Sequence, residues 1–464
     1  MRISTLEGKR VAIWGWGAEG RAAYRAVRHR LPALALTLLC SAGEAADAAA
    51  LGDAALTIDT SVSGSLLADF DVIIKSPGIS PYREEVRAAQ AAGTLFVGGT
   101  GIWFAENPQA RTVCVTGTKG KSTCTALVAH LLRAAGHRTA LAGNIGVPLL
   151  ELLDVTRVPT FWAIELSSFQ TGDIVESGVR PEIAIVLNIF PEHLDWHGDE
   201  VRYVADKLAL VQRAKPHTAV LNATDPVLKL LEPPESEVRW FGIPPAWHLR
   251  DSHVCTGADS ERVLDLRDLP LHGQHNGANL CAAFTAIDAL GLDARVMAPH
   301  AASFTPLPHR LQWLGLHGGL GFVNDSISTT PHASVAALEA YADRRVAIIV
   351  GGHDRGVDWS PFLAHVAATP PIAVITQGAN GPRINALLDA ATPRPSCVLA
   401  AAHDLEQAVA LATSALEGDG VVLLSPGAPS FDAYRDYAER GGHFARLAGF
   451  PAATETEIPG LGMG

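Results

Sequence analysis

A lysine and two hydroxyl residues at the end of a glycine turn, just where a helix begins, can hold a polyphosphate. The stretch Val115-Thr116-Gly117-Thr118-Lys119-Gly120-Lys121-Ser122-Thr123 has this form. Gly117 and Gly120 free the backbone N–H groups to wrap phosphate oxygens, Lys121 places a cation on them, and Ser122 offers a hydroxyl to Mg2+. The standard pattern asks for glycine five places before Gly120. That place is Val115, so the strict spacing fails while each chemical function is kept. The expected ligand is ATP, held by Gly117 to Thr123.

A triphosphate site also needs oxygen-rich metal ligands, commonly completed by water. Glu165 ends the apolar run Phe161 to Ile164, His193 and Asp195 follow the run from Leu187, and Lys207 lies on the next helix. Singly, each such residue is ordinarily a solvated surface group. Two strand ends beside a phosphate loop form a candidate constellation.

A second glycine turn, Gly15-Trp16-Gly17-Ala18-Glu19-Gly20, stands between the apolar run Val11 to Trp14 and a helix expected from Arg21. Such a turn lets the backbone approach a pyrophosphate at a helix N-terminus. An NAD site would add a ribose-binding acid about 20 residues on, and Thr37 to Ala42 contains none. A nucleotide-sugar pyrophosphate fits as well, as does a tight turn that binds nothing. The run Asp71 to Lys75 likewise ends in Ser76-Pro77-Gly78.

Strands must deliver these turns. Apolar runs at Val11, Val72, Thr112, Phe161, Ile183 and Ala219 alternate with helical stretches, and a Pro-rich link (Thr305 to Arg310) precedes further runs at Gly321, Val346, Ala373 and Val421. Alternation of this kind predicts an α/β fold with mostly parallel sheets and ligands at the strands' carboxyl ends. With 464 residues, three domains are expected, at 1–100, 101–300 and 301–464. A 48% hydrophobic, 18% charged composition suits a soluble protein, and a net charge of −12 argues against nucleic acid as a partner. No apolar run approaches the roughly 18 residues of a spanning helix, so no membrane partner and a cytoplasmic location are expected. The six scattered cysteines are expected to be reduced thiols, and the Gly-rich tail Gly460 to Gly464 to be disordered.

The motifs T-G-T-K-G-K-S-T, G-N-I-G (Gly143 to Gly146), E-L-S-S-F-Q (Glu165 to Gln170), L-N-I-F-P-E-H-L-D-W-H (Leu187 to His197), G-Q-H-N-G-A-N (Gly273 to Asn279) and L-P-H-R (Leu307 to Arg310) occur in this order. Together they resemble the Mur ligases across almost the whole chain. N-D-S (Asn324 to Ser326) and S-P-G-A-P-S-F-D (Ser425 to Asp432) are similar to the branch that adds glutamate to UDP-N-acetylmuramoyl-L-alanine. The resemblance implies an N-terminal Rossmann-like domain for UDP, a central P-loop ATPase and a C-terminal Rossmann-like glutamate domain. It assigns Gly15, Trp16, Gly17, Ala18, Ser76, Pro77, Gly78 and Asn144 to the UDP-sugar substrate. Gly117 to Thr123, Asn276, Asn279, Arg310 and Asp325 fall to ATP, and Ser122, Glu165 and His193 to Mg2+. Lys121, His193 and Lys207 are the implied catalytic residues, with Lys207 matching a lysine that becomes carbamoylated. Carbamoylation converts a cation of pKa about 10.4, which repels Mg2+, into an anionic oxygen ligand. A monomer is expected.

The glutamate site departs from the branch's common pattern. Thr329 and Ser430 keep their hydroxyls, but Ile327 and Arg355 stand where lysines are usual, and Phe431 and Tyr437 where Leu and Phe are usual. Arg presents a planar fork in place of a point charge, which shifts where a carboxylate can sit. The pattern is similar to the variant that adds L-glutamate, whose product a separate epimerase then inverts. Addition of D-glutamate is the alternative. A folate-polyglutamating ligase would not need the turn at Gly15. An oxidoreductase would leave Lys121, Glu165 and His193 unexplained, and a non-catalytic nucleotide-binding protein would not need every metal ligand.

Overall fold

The computed structural model describes residues 1–190, 194–271, 273–451, 458 and 460–463. The chain forms two compact units, one of Met1–Leu264, Ala278–Ala301 and Gly460–Gly464, the other of Asp265–Gly277 and Ala302–Pro459.

The first unit holds two parallel sheets. In the N-terminal one the order is Leu56–Asp59, Leu36–Leu39, Val11–Trp14, Val72–Lys75 and Leu95–Gly98. Every residue of Val11–Trp14 and Val72–Lys75 is buried. Helices cover both faces of such strands, which therefore read as unbroken apolar runs. These two neighbours leave the sheet at Gly15 and Ser76. There the strand order reverses, and a crevice opens at the carboxyl ends. The helix Ala18–Arg30 starts three residues earlier than the pattern predicts, because Gly17 is extended (φ −72°, ψ −168°) and Glu19 sits in the first turn, where its charge complements the helix dipole.

The central sheet runs Glu237–Phe241, Thr218–Asn222, Ile183–Val186, Thr112–Thr116, Phe161–Glu165 and Thr139–Gly143. Val115 pairs with Glu165 and Thr116 with Val186, so three strands end side by side. The order reverses at Thr112–Thr116, again at the carboxyl ends.

In the second unit six strands follow the order Gln312–His317, Leu320–Asn324, Gly420–Leu424, Val346–Val350, Ala373–Thr376 and Val398–Ala401, with only the first pair antiparallel. Alternate residues face opposite layers. Ala347, Ile349, Val422 and Leu424 pack with Leu405, Ala412 and Phe444, while Val346, Ile348, Val421 and Leu423 pack with Leu338, Phe362 and Ile384. Each large side chain buried this way contributes about 1.5–3 kcal/mol.

Five of the six cysteines are buried, and all are free thiols. Among the described residues no helix is long and apolar enough to cross a membrane. The tail departs from expectation, since Gly460 to Met463 are placed against the central sheet rather than disordered.

Candidate active site

The buried strand Thr112–Thr116 delivers the phosphate loop, and the helix Lys121–Ala134 receives it. Gly120, the residue before that helix, is left-handed (φ +86°), and a Cβ there would lie 2.5 Å from Asn279 Oδ1. Glycine is thus required both by conformation and by the approach of Asn279. The loop is held from the next strand end: Thr118 N–H donates to Asn188 O (2.9 Å), Lys119 N–H donates to Asn188 Oδ1 (2.8 Å), and Asn188 Nδ2 donates to Lys119 O (3.1 Å). Thr118 Oγ1 lies 2.6 Å from the Tyr203 hydroxyl. Lys121 folds over the loop, its Nζ donating to Thr118 O (3.0 Å), and Ser122 is buried in the first helical turn.

Glu165, 2% exposed, stands beside this loop. Its Oε1 accepts from Asn144 Nδ2 (2.9 Å), whereas its buried Oε2 has no hydrogen-bond partner. A buried carboxylate oxygen without a partner costs several kcal/mol unless a cation or a donor meets it. Lys207, equally buried, reaches in from the helix Glu200–Gln212, donating from Nζ to Gly117 O (2.9 Å) with the Tyr203 ring 5.0 Å away. Tyr203 and Lys207 are four residues apart on that helix and so share a face. One helix therefore sets a phenol on Thr118 and an amine on Gly117. Among the described residues no three His, Cys, Asp or Glu converge as a metal cage. A single carboxylate with hydroxyl, phosphate and water is how Mg2+ is commonly held, and Glu165 with Ser122 fits it. His193 lies outside the described residues, and nothing is described of the Asp195 side chain.

At the N-terminal crevice Gly15 is left-handed (φ +96°), and a Cβ there would meet Ser76 Oγ at 2.6 Å. That hydroxyl is buried and makes no hydrogen bond. Around Gly17 the space is open, beside Ala18 at the helix start. The Trp16 side chain is buried, its Nε1–H donating to Asp47 (2.8 Å), so only its main chain could meet a ligand. The carbonyls of Pro77 and Gly78 accept from Trp196 Nε1 (3.2 and 3.1 Å). The turn at Gly15 and the loop at Ser76 are thus brought together.

Asn276 and Asn279, one turn apart on the helix Gln274–Ala289, are both buried. In the second unit, buried Asp325 follows the strand Leu320–Asn324. Its carboxylate accepts from Ser425 Oγ (2.8 Å), Ser328 Oγ and Leu311 N–H (3.1 Å). Burial pushes its pKa up to about 6, against these donors and the nearby Arg310 charge. Arg355 Nη2 donates to Thr329 O (3.3 Å), Ser430 is buried, and Phe431 (69%) and Tyr437 (41%) are exposed.

With this geometry in place, comparison with known proteins is decisive. A family model described as Mur ligase middle domain matches residues 115–287, and one described as Mur ligase, glutamate ligase domain, matches 309–427. Curated proteins named UDP-N-acetylmuramoyl-L-alanine--L-glutamate ligase match over the full length of both chains, at 60% identity in Xanthomonas axonopodis pv. citri and 57% in Xylella fastidiosa. The chain belongs to the Mur ligase family. It is an ATP-dependent ligase that forms an amide bond. A Micromonospora protein of the same name is 38% identical over 97% of this chain and all of its own. Among solved structures, the Thermotoga maritima UDP-N-acetylmuramate-alanine ligase MurC shares the fold (TM-score 0.59, 19% identity, 94% of this chain and 98% of that one). So does the MurF ligase of the same organism in complex with ADP (0.58, 16%, 94% and 93%).

Several residues that hold these loops in place escape a reading of the sequence. Asn188 and Tyr203 grip the phosphate loop from other elements, and a strand-end Asn or a helical Tyr carries no signal by itself. The one available clue was Tyr203 four residues before Lys207. His197, fully buried, bridges Ser168 Oγ (3.0 Å) and Asp206 Oδ2 (2.7 Å), and Asp206 also accepts from the Tyr82 hydroxyl (2.7 Å). Arg440, 1% exposed, donates to Ser326 Oγ and O (3.0 and 2.8 Å) and to the carbonyls of Ala428 and Pro429 (3.0 and 3.3 Å). It ties N-D-S to S-P-G-A-P-S.

Proposed function

We propose that this Mur ligase joins L-glutamate to UDP-N-acetylmuramoyl-L-alanine in peptidoglycan precursor synthesis, consuming ATP and releasing ADP and phosphate. The observation that carries the ligase chemistry is the meeting, at the carboxyl ends of two central strands, of the phosphate loop with Lys121, the unpartnered Glu165 Oε2 and the buried Lys207 amine.

A carboxylate resists amines because its charge makes the acyl carbon a poor electrophile and its oxygen a poor leaving group. In our reading the substrate carboxylate first attacks the γ-phosphorus of ATP, breaking its bond to the β–γ bridging oxygen and giving an acyl phosphate and ADP. The glutamate amine then attacks the acyl carbon, and phosphate leaves. Lys121 and the N–H groups at the helix start, Lys121 to Thr123, neutralise charge on the phosphoryl oxygens, the usual work of positioned donors in phosphoryl transfer. Asn144 orients the acyl end. Asn276, Asn279, Arg310 and Asp325 hold the nucleotide. Ser122 and Glu165 would hold Mg2+, joined by Lys207 once carbamoylated and by His193 on the strength of the resemblance. Bound there, Mg2+ would draw off negative charge from the phosphates. Gly15 to Ala18 and Ser76 to Gly78 cradle the UDP pyrophosphate.

The preference for L-glutamate rests on the names of the relatives and on Arg355, Phe431 and Tyr437. Thr329 and Ser430 supply hydroxyls beside them. A downstream epimerase would consume the product. We further take the chain to act as a cytoplasmic monomer with domains at 1–100, 101–300 and 301–464. Ligation assays with each enantiomer test the reading: ADP release with L-glutamate is expected, and release with D-glutamate only would refute it.

A further inference from the structure

The last described residues of the chain run along Thr139–Gly143, the edge strand of the central sheet. Leu141 and Gly462 exchange both backbone hydrogen bonds in antiparallel sense, at 2.8 Å each. Arg133 clamps the same segment, donating from Nη1 to Gly460 O (2.7 Å) while Nε donates to Thr139 O (2.8 Å). Gly460 is left-handed (φ +70°), and a Cβ on it would strike Arg133 Nη1. Between the two glycines Leu461 reaches Gly146, where a Cβ would lie 3.0 Å from Leu461 Cδ2. Met463 packs on the core of the first unit.

An edge strand offers a row of unpaired N–H and C=O groups, and an added strand is the standard way to occupy them. The position of this one is specific. Directly after the edge strand comes the turn Gly143-Asn144-Ile145-Gly146, closed by Gly146 N–H to Gly143 O (3.1 Å). Asn144 faces Glu165 by two bonds, its N–H to Glu165 O (3.0 Å) and its Nδ2 to Oε1 (2.9 Å). The turn is therefore gripped by Glu165 on one side and by Leu461 on the other.

We propose that the tail Gly460 to Met463, bridged to the edge strand at Leu141, positions the Gly143–Gly146 turn, so that Asn144 meets the acyl end of the UDP-linked substrate. The role rests on our assignment of Asn144 to that substrate. Without the tail, Leu141 turns its edge groups to water, Arg133 loses its Gly460 and Gly462 acceptors, and the turn loses the Leu461 contact.

The test is the full-length enzyme against a chain ending before Gly460, with Gly460→Ala as a second variant. Truncation is expected to raise KM for the UDP-linked acceptor about tenfold, the factor given by the net loss of one or two hydrogen bonds. KM for ATP should stay as it was. Adding the peptide Pro-Gly-Leu-Gly-Met-Gly in trans should restore the acceptor KM, and the same peptide with Ser for Leu should not. Hydrogen exchange at the Leu141 amide should be slow in the intact chain and fast after truncation. An unchanged acceptor KM after truncation overturns the proposal, as does fast Leu141 exchange in the intact chain. A general loss of stability that the peptide does not repair would make the tail a structural prop and also overturn it. If the intact enzyme ligates neither enantiomer of glutamate, the functional reading fails, while Leu141 exchange still reports on the tail.

Discussion

Gly17→Ala separates folding from binding at the nucleotide-sugar crevice. Gly17 is extended (φ −72°), nothing lies within 4 Å of a Cβ built on it, and its carbonyl accepts from Arg21 N–H (3.0 Å). Alanine can adopt this conformation. It gains about 0.4–1 kcal/mol through a less flexible unfolded chain and loses about 0.5–1 kcal/mol as a poorer helix cap. Stability should therefore stay within about 0.5 kcal/mol of the parent. The open space, however, is where a pyrophosphate would accept from the N–H groups of Gly17 and Ala18. A methyl group there forces the anion away, and each charge-assisted hydrogen bond lost costs about 1.5–3 kcal/mol. KM for the UDP-linked acceptor should rise by about 10- to 100-fold, with KM for ATP unchanged. Urea denaturation and steady-state kinetics with acceptor and ATP varied in turn provide the measurements. A normal acceptor KM in a stably folded variant would refute the cradle, and a stability loss above about 2 kcal/mol would refute the open geometry.

Gly120→Ala should behave oppositely: a left-handed alanine costs about 1–2 kcal/mol and pushes Asn279 aside, so ATP binding by calorimetry should fall at least tenfold, and unaltered affinity would contradict the site. Asp325 gives a pH signature. Burial raises its folded pKa to about 6 from 3.8, so the native state releases this proton less readily than the unfolded chain and loses stability as pH climbs from about 4 to 6. In Asp325→Asn that loss should vanish, seen as a flatter stability profile across this window and no difference in slope above it; parallel profiles would exclude the effect. Arg440→Lys cannot span its four acceptors and should destabilise the second unit by about 2–3 kcal/mol in urea. A change under about 0.5 kcal/mol would show that the guanidinium contacts carry little.

The local units were legible along the chain. Short apolar runs such as Val11–Trp14 and Thr112–Thr116 read as buried strands because helices cover both of their faces. Gly15 and Gly120 marked the turns because only glycine tolerates their backbone angles beside a close neighbour. Lys121 and Ser122 were legible because they open the helix after a glycine turn, and Glu165 because it ends such a strand. Which ends meet is set by the folded sheet. The pairing of Val115 with Glu165 sets a carboxylate beside the phosphate loop from the end of another strand. Lys207 gains its meaning from Gly117 O, His197 from Ser168 and Asp206, and Arg440 from the carbonyls of two loops. The tail is the clearest instance. Glycines with no helical or strand period read as disorder, yet backbone bonds to a distant edge strand need no side-chain pattern, and that strand supplies them at Leu141.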